Sequence, residues 1–451
     1  MDGGRLLDLC SDVLARARRA GADEAEAVAG WRRGVDTRIE NGDIHTVETS
    51  EETVIGLRVM ISGSVGFTTA NGLESSTLDA CVEEAVGQAR ITPPDANTGL
   101  PPACETIAID GLHDPRITAI DVTATTAMAT RMIERIRERD ARVRIDSGGV
   151  SAGESTVALA TTTGNSHHEA GTSCGGHLFG MAVDGDEVAS FDYDGESTRD
   201  FDRIESALEE MTDRFADKCL SGLGSGSGKS FNGSVVLSPE AVAEFLLPNL
   251  IGAICSDAVR KGRSPLAGRV GESIAVPGFT LIDDGTIPGG IASSAFDREG
   301  VATRRTTLLD SGVLTTYLYN HYEAQSAGDG QRSTGHASGS ASSLPGIGPN
   351  ALEVLAGTTP AAELAAGSDP VVWVGRFSGS TNGVTGDFSG VVKNGFLMGN
   401  GERRPIRETM IAGNLFEALR NIEAISAERR LLGGSALLPS MRIGGISVTA
   451  G

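Results

Sequence analysis

Glycine recurs at short intervals along this chain, and its spacing limits the folds that the chain can adopt. Sixty of the 451 residues are glycine, and in the second half they separate short runs of Val, Ile, Leu and Phe. Glycine supplies the positive backbone angles of tight turns and the irregular geometry of β-bulges, so this pattern is typical of many short strands. Strands and helices do not alternate as βαβ units, which favours an α+β protein over a doubly wound parallel sheet.

The first ninety residues predict an antiparallel meander between two helices. Residues 5–20 carry apolar side chains at helical spacing and stop before Gly21, a residue type that commonly ends helices. Asn41-Gly42 is a strong hairpin signal, and Ser62-Gly63 marks a second turn. A second helix is predicted at 76–89, and strands are predicted at 26–31, 35–40, 44–49, 53–61 and 64–69.

The chain is long enough to require more than one hydrophobic core. A proline-rich segment at 91–103 is expected to be a linker or a wrapped loop. A helix at 121–140, strands to about residue 195 and a helix at 202–220 follow, and the Gly/Ser-rich segment 221–230 is the expected boundary. We therefore expect an N-terminal α/β domain at 1–225, with subregions 1–90 and 104–220, and a β-rich C-terminal domain at 226–451.

Charge and composition restrict the classes of partner. The net charge of −22 repels polyphosphate, so nucleic-acid binding is not expected. The sequence has no apolar run of about 18 residues and no signal-peptide pattern after Met1, so we expect no membrane span and a cytoplasmic location. Disulfides are not expected, because the cysteines are scattered without a CxxC pair: Cys10, Cys81, Cys104, Cys174, Cys219 and Cys255.

An ordered series of short blocks runs through the second half of the chain. Its members are Ser264-Pro265-Leu266, residues 283–300, Gly312-Val313-Leu314, residues 333–337, residues 385–390 and residues 412–415. The series resembles the TldD/PmbA family, two-subunit zinc peptidases once labelled modulators of DNA gyrase. Residues 39–42 and 56–59 extend the resemblance into the N-terminal third. It implies an N-terminal α/β domain and a β-rich C-terminal domain.

One helix decides which subunit type the resemblance implies. Ser238 is a good N-cap and Pro239 suits the first helical position. In the family's catalytic subunits this helix carries His-Glu-x-x-x-His, with two zinc ligands and a general base, and a cysteine near the C-terminus is the third ligand. The corresponding residues here are Pro239, Glu240 and Glu244, and the last cysteine is Cys255.

The resemblance therefore implies a TldE/PmbA-type subunit that has no metal or other cofactor of its own. Such a subunit pairs with a zinc-bearing TldD-type partner, or forms a homodimer. The expected substrates are unfolded or short peptides, such as leader peptides and antitoxins, held in an extended form inside a channel.

The two glutamates of this helix also have simpler interpretations. Glu240 suits the first turn, where a carboxylate complements the helix dipole, and Glu244 suits a solvated or interface position. An alternative is that both hold a hard cation such as Mg²⁺ or Ca²⁺ from one face of the helix.

Two further segments are partly similar to a phosphate-binding loop and to a zinc-binding motif. Residues 222–230 approximate a phosphate-binding P-loop, but Leu223 breaks the pattern and the segment is predicted between a helix and a strand, the reverse of the P-loop order. His167-His168-Glu169 and His177 belong to a segment predicted as strands at 158–163 and 177–183 joined by Gly-rich turns, where a helical zinc motif cannot form. Zinc bound by His167, Cys174 and His177 stays open as an alternative.

Acidic residues in the blocks that carry the resemblance are candidates for the peptide channel. Asp297, Glu299 and Asp387 are the candidates, with Asp297 and Glu299 expected on one strand face near Arg298, Arg304 or Arg305. Asp283-Asp284-Gly285 suggests a turn. His321 and His336 have no carboxylate or cysteine at a useful spacing.

Two other functions compete with that of an inactive subunit. The chain could be a homodimeric hydrolase with a recruited metal, at Glu240 and Glu244 or in the segment 167–177. It could also be a peptide-binding module without any proteolysis.

Overall fold

The computed structural model describes residues 1–328 and 330–451. Its first half contains α1 (Gly3–Arg19), β1 (Glu24–Glu40), β2 (Asp43–Ile61), β3 (Ser64–Ala70), α2 (Ser75–Ile91), α3 (Pro115–Thr118), α4 (Val122–Arg139), β4 (Val143–Thr161), β5 (Ser166–Asp184), β6 (Glu187–Val188), β7 (Asp192–Thr198) and α5 (Ile204–Ser221), with a 3₁₀ turn at Phe201–Arg203.

The described strands of this half form one antiparallel sheet in the order β3-β2-β1-β4-β5, with β6 and β7 both paired to β5. Two long hairpins, β1–β2 and β4–β5, dominate it, and β1 joins them by pairing with β4 from Glu26 to Glu40. The four short strands predicted between 26 and 61 are in fact two long ones. The predicted breaks fell at Arg32-Arg33-Gly34 and Ser50-Glu51-Glu52, which are polar because no helix covers the middle of the sheet.

All four long helices pack on one face of this sheet. Alternate residues of β1, such as Ala27 and Ala29, pack against α1 and α2, and Ile39 on the same face packs with α4 and α5. Val28 points the other way and packs against Phe296 of the second half. The helix-free face of the sheet therefore meets the C-terminal half.

The second half contains β8 (Gly226–Ser227), β9 (Phe231–Leu237), α6 (Pro239–Ala241), α7 (Leu247–Ile254), α8 (Ser256–Arg260), β10 (Leu281–Asp284), β11 (Arg305–Asp310), β12 (Val313–Leu314), α9 (His321–Ala327), β13 (Ala337–Ser338), β14 (Gly346–Ile347), β15 (Leu352–Val354), β16 (Val371–Val374), β17 (Arg376–Thr381), β18 (Asp387–Lys393), β19 (Gly395–Gly399), β20 (Glu402–Arg407), β21 (Thr409–Asn414), α10 (Leu415–Arg420), β22 (Ile422–Leu432) and β23 (Ala436–Ala450).

Most of these strands join one mixed sheet, in which β23 is central and pairs with β9, β15, β21 and β22. A π-helical turn, Val242–Leu246, joins α6 and α7 into one helix that is buried against this sheet. The α+β class and the β-rich second half are as predicted. The predicted late helix near 415–425 is shorter, because Asn421 ends it and β22 begins at once. No described helix is both long and apolar enough to span a membrane.

A buried ionic cluster fastens the two halves together. The Arg58 guanidinium of β2 donates to Glu26 at 2.8 Å and to Glu299 of the second half at 3.2 Å. Arg298 donates to the other oxygen of Glu26 at 2.8 Å. Burial by itself raises the pKa of Glu26, but Arg58 and Arg298 outweigh it and hold that pKa below its ordinary value. Each charge is thus paired where water cannot reach it.

Arg199 forms a second clasp, through main-chain carbonyls. Its guanidinium donates to Leu112 and Thr172 in the first half, at 3.0 and 3.2 Å, and to Gly290 and Ile291 in the second, at 3.1 and 3.0 Å. A Cβ at position 171 would lie 2.3 Å from this guanidinium, so a glycine there makes the clasp possible.

We expect Arg58→Met to lower the free energy of unfolding by about 3–5 kcal/mol, because it leaves Glu26 and Glu299 buried with fewer cations. Urea unfolding followed by circular dichroism measures this. Arg38→Met is the matched control, since Arg38 and Glu48 form an exposed pair (64% and 45% exposed side chains) and its removal should cost less than about 1 kcal/mol. Equal effects of the two substitutions would contradict the structural role of Arg58.

Candidate functional site

The helix that begins at Pro239 borders a cleft of about 590 Å³ between the two halves. The helix-free face of the N-terminal sheet forms one wall, and β7 with Lys218 of α5 forms its side. The opposite wall consists of Glu240, Ala243 and Glu244, with the tip of the β22–β23 hairpin. We call this space the junction cleft.

Local sequence places the helix as predicted. The Ser238 hydroxyl accepts a hydrogen bond from the Ala241 amide at 3.1 Å and donates to the Gly375 carbonyl at 2.6 Å. Pro239 occupies the first turn, where its missing N–H leaves no bond unmade. This cap fixes where the helix starts, and both Glu240 and Glu244 consequently reach the junction cleft.

Glu240 is a first-turn acid, and two cations contact it as well. The Lys218 ammonium lies 2.9 Å from its carboxylate, and Arg430 of β22 donates to the same oxygen. Both cations also contact Asp194 of β7, at 3.0 Å each. Burial raises the pKa of Glu240, but Lys218 and Arg430 more than offset it and lower that pKa below its ordinary value. These two acids and two cations thus form a network across the cleft, and Arg214 extends it by donating to Asp194 at 3.2 Å.

Of the two settings expected for Glu244, solvated or at an interface, the structure has the second, because Glu244 lies between β7 of the first half and β17 of the second. Its carboxylate accepts hydrogen bonds from the Tyr193 hydroxyl, from Arg376 at 3.0 Å and from the Phe377 amide at 3.2 Å. The Arg376 guanidinium also lies 4.0 Å from the centre of the Tyr193 ring. Burial, with Glu244 beside it, raises the pKa of Tyr193 to about 12, so this hydroxyl stays a donor at neutral pH.

Comparison with known proteins identifies the family. Three family models of the PmbA/TldA metallopeptidases match: domain 1 at residues 25–89, the central domain at 115–223 and the C-terminal domain at 230–450. The chain belongs to the PmbA/TldD family. Metalloprotease PmbA from Escherichia coli O157:H7 is 28% identical over 94% of this chain and 93% of its own.

A Haemophilus influenzae metalloprotease TldD homolog is 24% identical over 87% of this chain and 83% of its own. The crystal structure of TldE from Thermococcus kodakarensis superimposes with a TM-score of 0.88, covering 98% of this chain and all of that one at 21% identity. PmbA/TldD membership supports a peptidase-related role and the PmbA/TldD-like fold.

A metallopeptidase family raises the question of whether zinc fits the junction cleft. Pro239 has no ligand atom, and the oxygens of Glu240 and Glu244 accept hydrogen bonds from lysine, arginine or tyrosine side chains. A metal ion there would face the positive charges of Lys218 and Arg430. In residues 1–328 and 330–451 no group of three or more His, Cys, Asp or Glu side chains is arranged to hold a metal. Zinc does not fit, and the Mg²⁺ or Ca²⁺ alternative is wrong for the same reason.

The alternative zinc site on the N-terminal sheet is also wrong. His167, Cys174 and His177 all lie on β5, whose pairing with β4 is unbroken between positions 166 and 178. Cys174 points to the face opposite the two histidines, because strand side chains alternate. Ten residues of strand separate the histidines by about 33 Å. These three side chains cannot share one ion.

Asp297 and Glu299 lie in a turn, and the predicted strand is absent there. Glu299 pairs with Arg58 and accepts from the His321 amide at 2.7 Å, so the expected partners Arg298, Arg304 and Arg305 are wrong. Glu299 is fully buried and cannot line a channel. Asp297 lies at the floor of a second interdomain cleft, and its oxygens accept from the amides of Glu299, Val301 and Ala337 at 2.9–3.0 Å.

Sequence reasoning missed one buried pair. Asp283 and Asp284 both lie in β10, and the expected turn follows them at Gly285-Thr286, where the Thr286 amide donates to Asp284. The Asp283 carboxylate is 2.9 Å from His336 Nε2. Asn350 donates twice to the same carboxylate. The pairing joins residues 53 positions apart, and no local pattern reveals it. The expectation that His336 lacks a carboxylate is therefore wrong.

The remaining candidates have simple settings. Asp387 is exposed at the start of β18 and accepts from Thr385 and Asn414, so its channel role stays a prediction. The segment 222–230 follows α5 and leads into β9, the reverse of a P-loop, and its β8 pairs with β20.

We expect Lys218→Met to lower the free energy of unfolding by about 1–3 kcal/mol, because Asp194 and Glu240 each lose a charged hydrogen bond in a half-buried site. Thermal and urea unfolding measure this. Lys261→Met is the matched control, since Lys261 pairs with Asp257 on an exposed helix surface and should change stability by less than about 0.5 kcal/mol. A Lys218→Met effect as small as that of the control would show that the network is not structural.

The burial of Asp297 predicts that the free energy of unfolding depends on pH. Burial, with the Glu299 charge beside it, raises the pKa of Asp297 from 3.8 to about 7. Between those values the unfolded chain releases this proton and the folded chain keeps it, so stability falls as pH rises. Compared with Asp297→Asn, the wild type should lose on the order of 4 kcal/mol between pH 4 and pH 8.

Urea unfolding at five pH values measures the difference. The control is Asp387→Asn, which keeps Asp297 and should lose stability in parallel with the wild type, because the pKa of Asp387 is lowered below 3.8 by Asn414 and Thr385 and its carboxylate stays ionised in this window. Parallel pH profiles for wild type and Asp297→Asn would refute the expected titration of Asp297.

Proposed function

We propose that this chain is a non-catalytic subunit of a two-chain PmbA/TldD peptidase and that its partner carries the zinc. The observation that supports this is the acid–cation network of the junction cleft. The carboxylates at positions 240 and 244, which correspond to motif positions in catalytic relatives, are engaged by Lys218, Arg430 and Arg376. The names of similar proteins, a metalloprotease PmbA and a TldE, support the peptidase-related part of this proposal.

In this proposal the two chains divide the work. The partner supplies the metal, the water and the general base, while this chain completes and guards a channel that admits unfolded or short peptides. Leader peptides and antitoxin-like chains are the expected substrates, since both are extended. Main-chain pairing to strand edges would hold such substrates with little dependence on their sequence.

Co-expression with a protein that carries the HExxxH motif tests the proposal. The two chains should co-purify, and the pair should cleave casein while this chain alone does not. Replacing the motif glutamate of the partner by glutamine should lower the rate at least about 100-fold, as expected for loss of a general base. Glu240→Gln in this chain should leave the rate of the pair within about twofold.

Two results would overturn the proposal. Stoichiometric zinc in the purified chain, together with casein cleavage by that chain alone, would support the homodimeric hydrolase. Stable binding of casein without cleavage in the presence of every HExxxH partner tested would support a pure binding module. Circular dichroism of Glu240→Gln establishes that the variant is folded before its rate is compared.

A further inference from the structure

One strand beside the junction cleft has an unprotected edge. Among the described residues, β17 pairs only with β18, from Arg376 opposite Lys393 to Thr381 opposite Phe388. Residues 378–380 of β17 are exposed. Its other edge is therefore open to solvent.

The direction of the main-chain groups on β17 follows from two hydrogen bonds. The Phe377 amide donates outward to Glu244 at 3.2 Å, and the Asn382 amide donates inward to Asp387 at 2.8 Å. Because antiparallel strands alternate between inward and outward residues, Gly379 and Thr381 also point their N–H and C=O groups outward. The open edge thus presents two residues with both groups exposed.

Several other strand edges in the described part of the chain carry charge or proline, and the outer strand β3, which has neither, has its Phe67 amide bonded to Gln88 of α2. The unpaired part of β2, beyond the end of β3, carries Glu48, Glu51 and Glu52. The β20 edge carries Arg403-Arg404-Pro405, and β7 carries three acids in seven residues. Such residues prevent unwanted strand pairing. On β17 the one charged residue is Arg376, and its guanidinium is bound to Glu244.

The edge is also held rigidly. The Phe377 ring packs on Phe245 of the central helix and lies near Phe388 of β18, with ring centres 4.6 and 6.1 Å away. Gly379 and Gly390 face each other beneath the Phe377 ring, and a Cβ on either would approach that ring within 2.7 Å. A strand fixed in this way needs little further ordering to accept a partner.

We propose that the open edge of β17 binds the main chain of an extended polypeptide as an added strand. A second copy of this chain is a poorer occupant, because six residues are far fewer than the roughly 20–30 per side of a stable interface. The open edge begins after Phe377, whose amide donates to Glu244 on the rim of the junction cleft. Naming the occupant as a peptide substrate rests on the proposed function, whereas the pairing itself does not.

Fluorescence anisotropy with labelled, unfolded casein and this chain alone tests the proposal. Thr381→Pro removes one outward N–H at an edge position where proline is tolerated, and binding should weaken about three- to tenfold. Ser380→Lys adds the kind of charge that protects other edges, and it should weaken binding similarly. Deuterium exchange should show slower exchange within 376–381 when casein is added.

Ser389→Lys is the matched control. Ser389 lies directly opposite Ser380 on the exposed face, but its strand is paired on both sides by β17 and β21. Casein affinity within about twofold of wild type is expected. Equal weakening by Ser380→Lys and Ser389→Lys would assign binding to the sheet face and overturn the proposal, as would unchanged binding by Thr381→Pro in a folded variant.

Light scattering tests the alternative that a second copy of this chain covers β17. A wild-type dimer that Thr381→Pro converts to a monomer would show that a second copy covers β17, which also overturns the proposal. Failure to co-purify with a zinc-bearing chain, with casein binding at β17 intact, would refute the proposed function and leave the edge assignment standing.

Discussion

The pairing of buried charges between the two halves is the constraint on which the rest of the structure depends. Arg58 lies between Glu26 and Glu299, and each of these side chains is at most 7% exposed. A buried charge is strongly unfavourable without its partner. If the sheet moved along the C-terminal half, at least one charged side chain would be left buried and unpaired. Apolar contacts alone would lose much less energy in such a movement, because they do not require particular partners. Hydrophobic contacts hold the halves together, and the ion pairs select one arrangement.

The same rule explains the junction cleft. An acid at position 240 is costly to bury unless a positive charge stands beside it, and in a metallopeptidase a metal ion can supply that charge. Here Lys218 and Arg430 supply it, and both also neutralise Asp194 across the cleft. A metal holds side chains of one site together, whereas these cations come from α5 and β22 and connect two halves of the chain. These contacts join the two walls of the cleft.

Local chemistry was readable from the sequence, and distant pairing was not. Ser238 and Pro239 predict the helix start because the capping hydrogen bond joins residues only three positions apart. The partners of Glu244, by contrast, lie 51 and 132 residues away, and nothing in the local pattern distinguishes it from a solvated acid. The long strands were divided for a related reason. Periodicity reports which faces are buried, and Arg32–Gly34 cross a part of the sheet that no helix covers.

The glycines that first indicated short strands also serve two opposite purposes. At position 171 the missing side chain leaves room for Arg199, which bonds to both halves and restricts their relative movement. At Gly379 it leaves room for the Phe377 ring and keeps an exposed edge free of side chains that would exclude another strand. In the function proposed above, the open edge of β17 holds the extended peptide, and a second chain supplies the metal and the water. Binding and catalysis would then lie on different chains, so the chemistry could change without rebuilding the surface that holds the peptide.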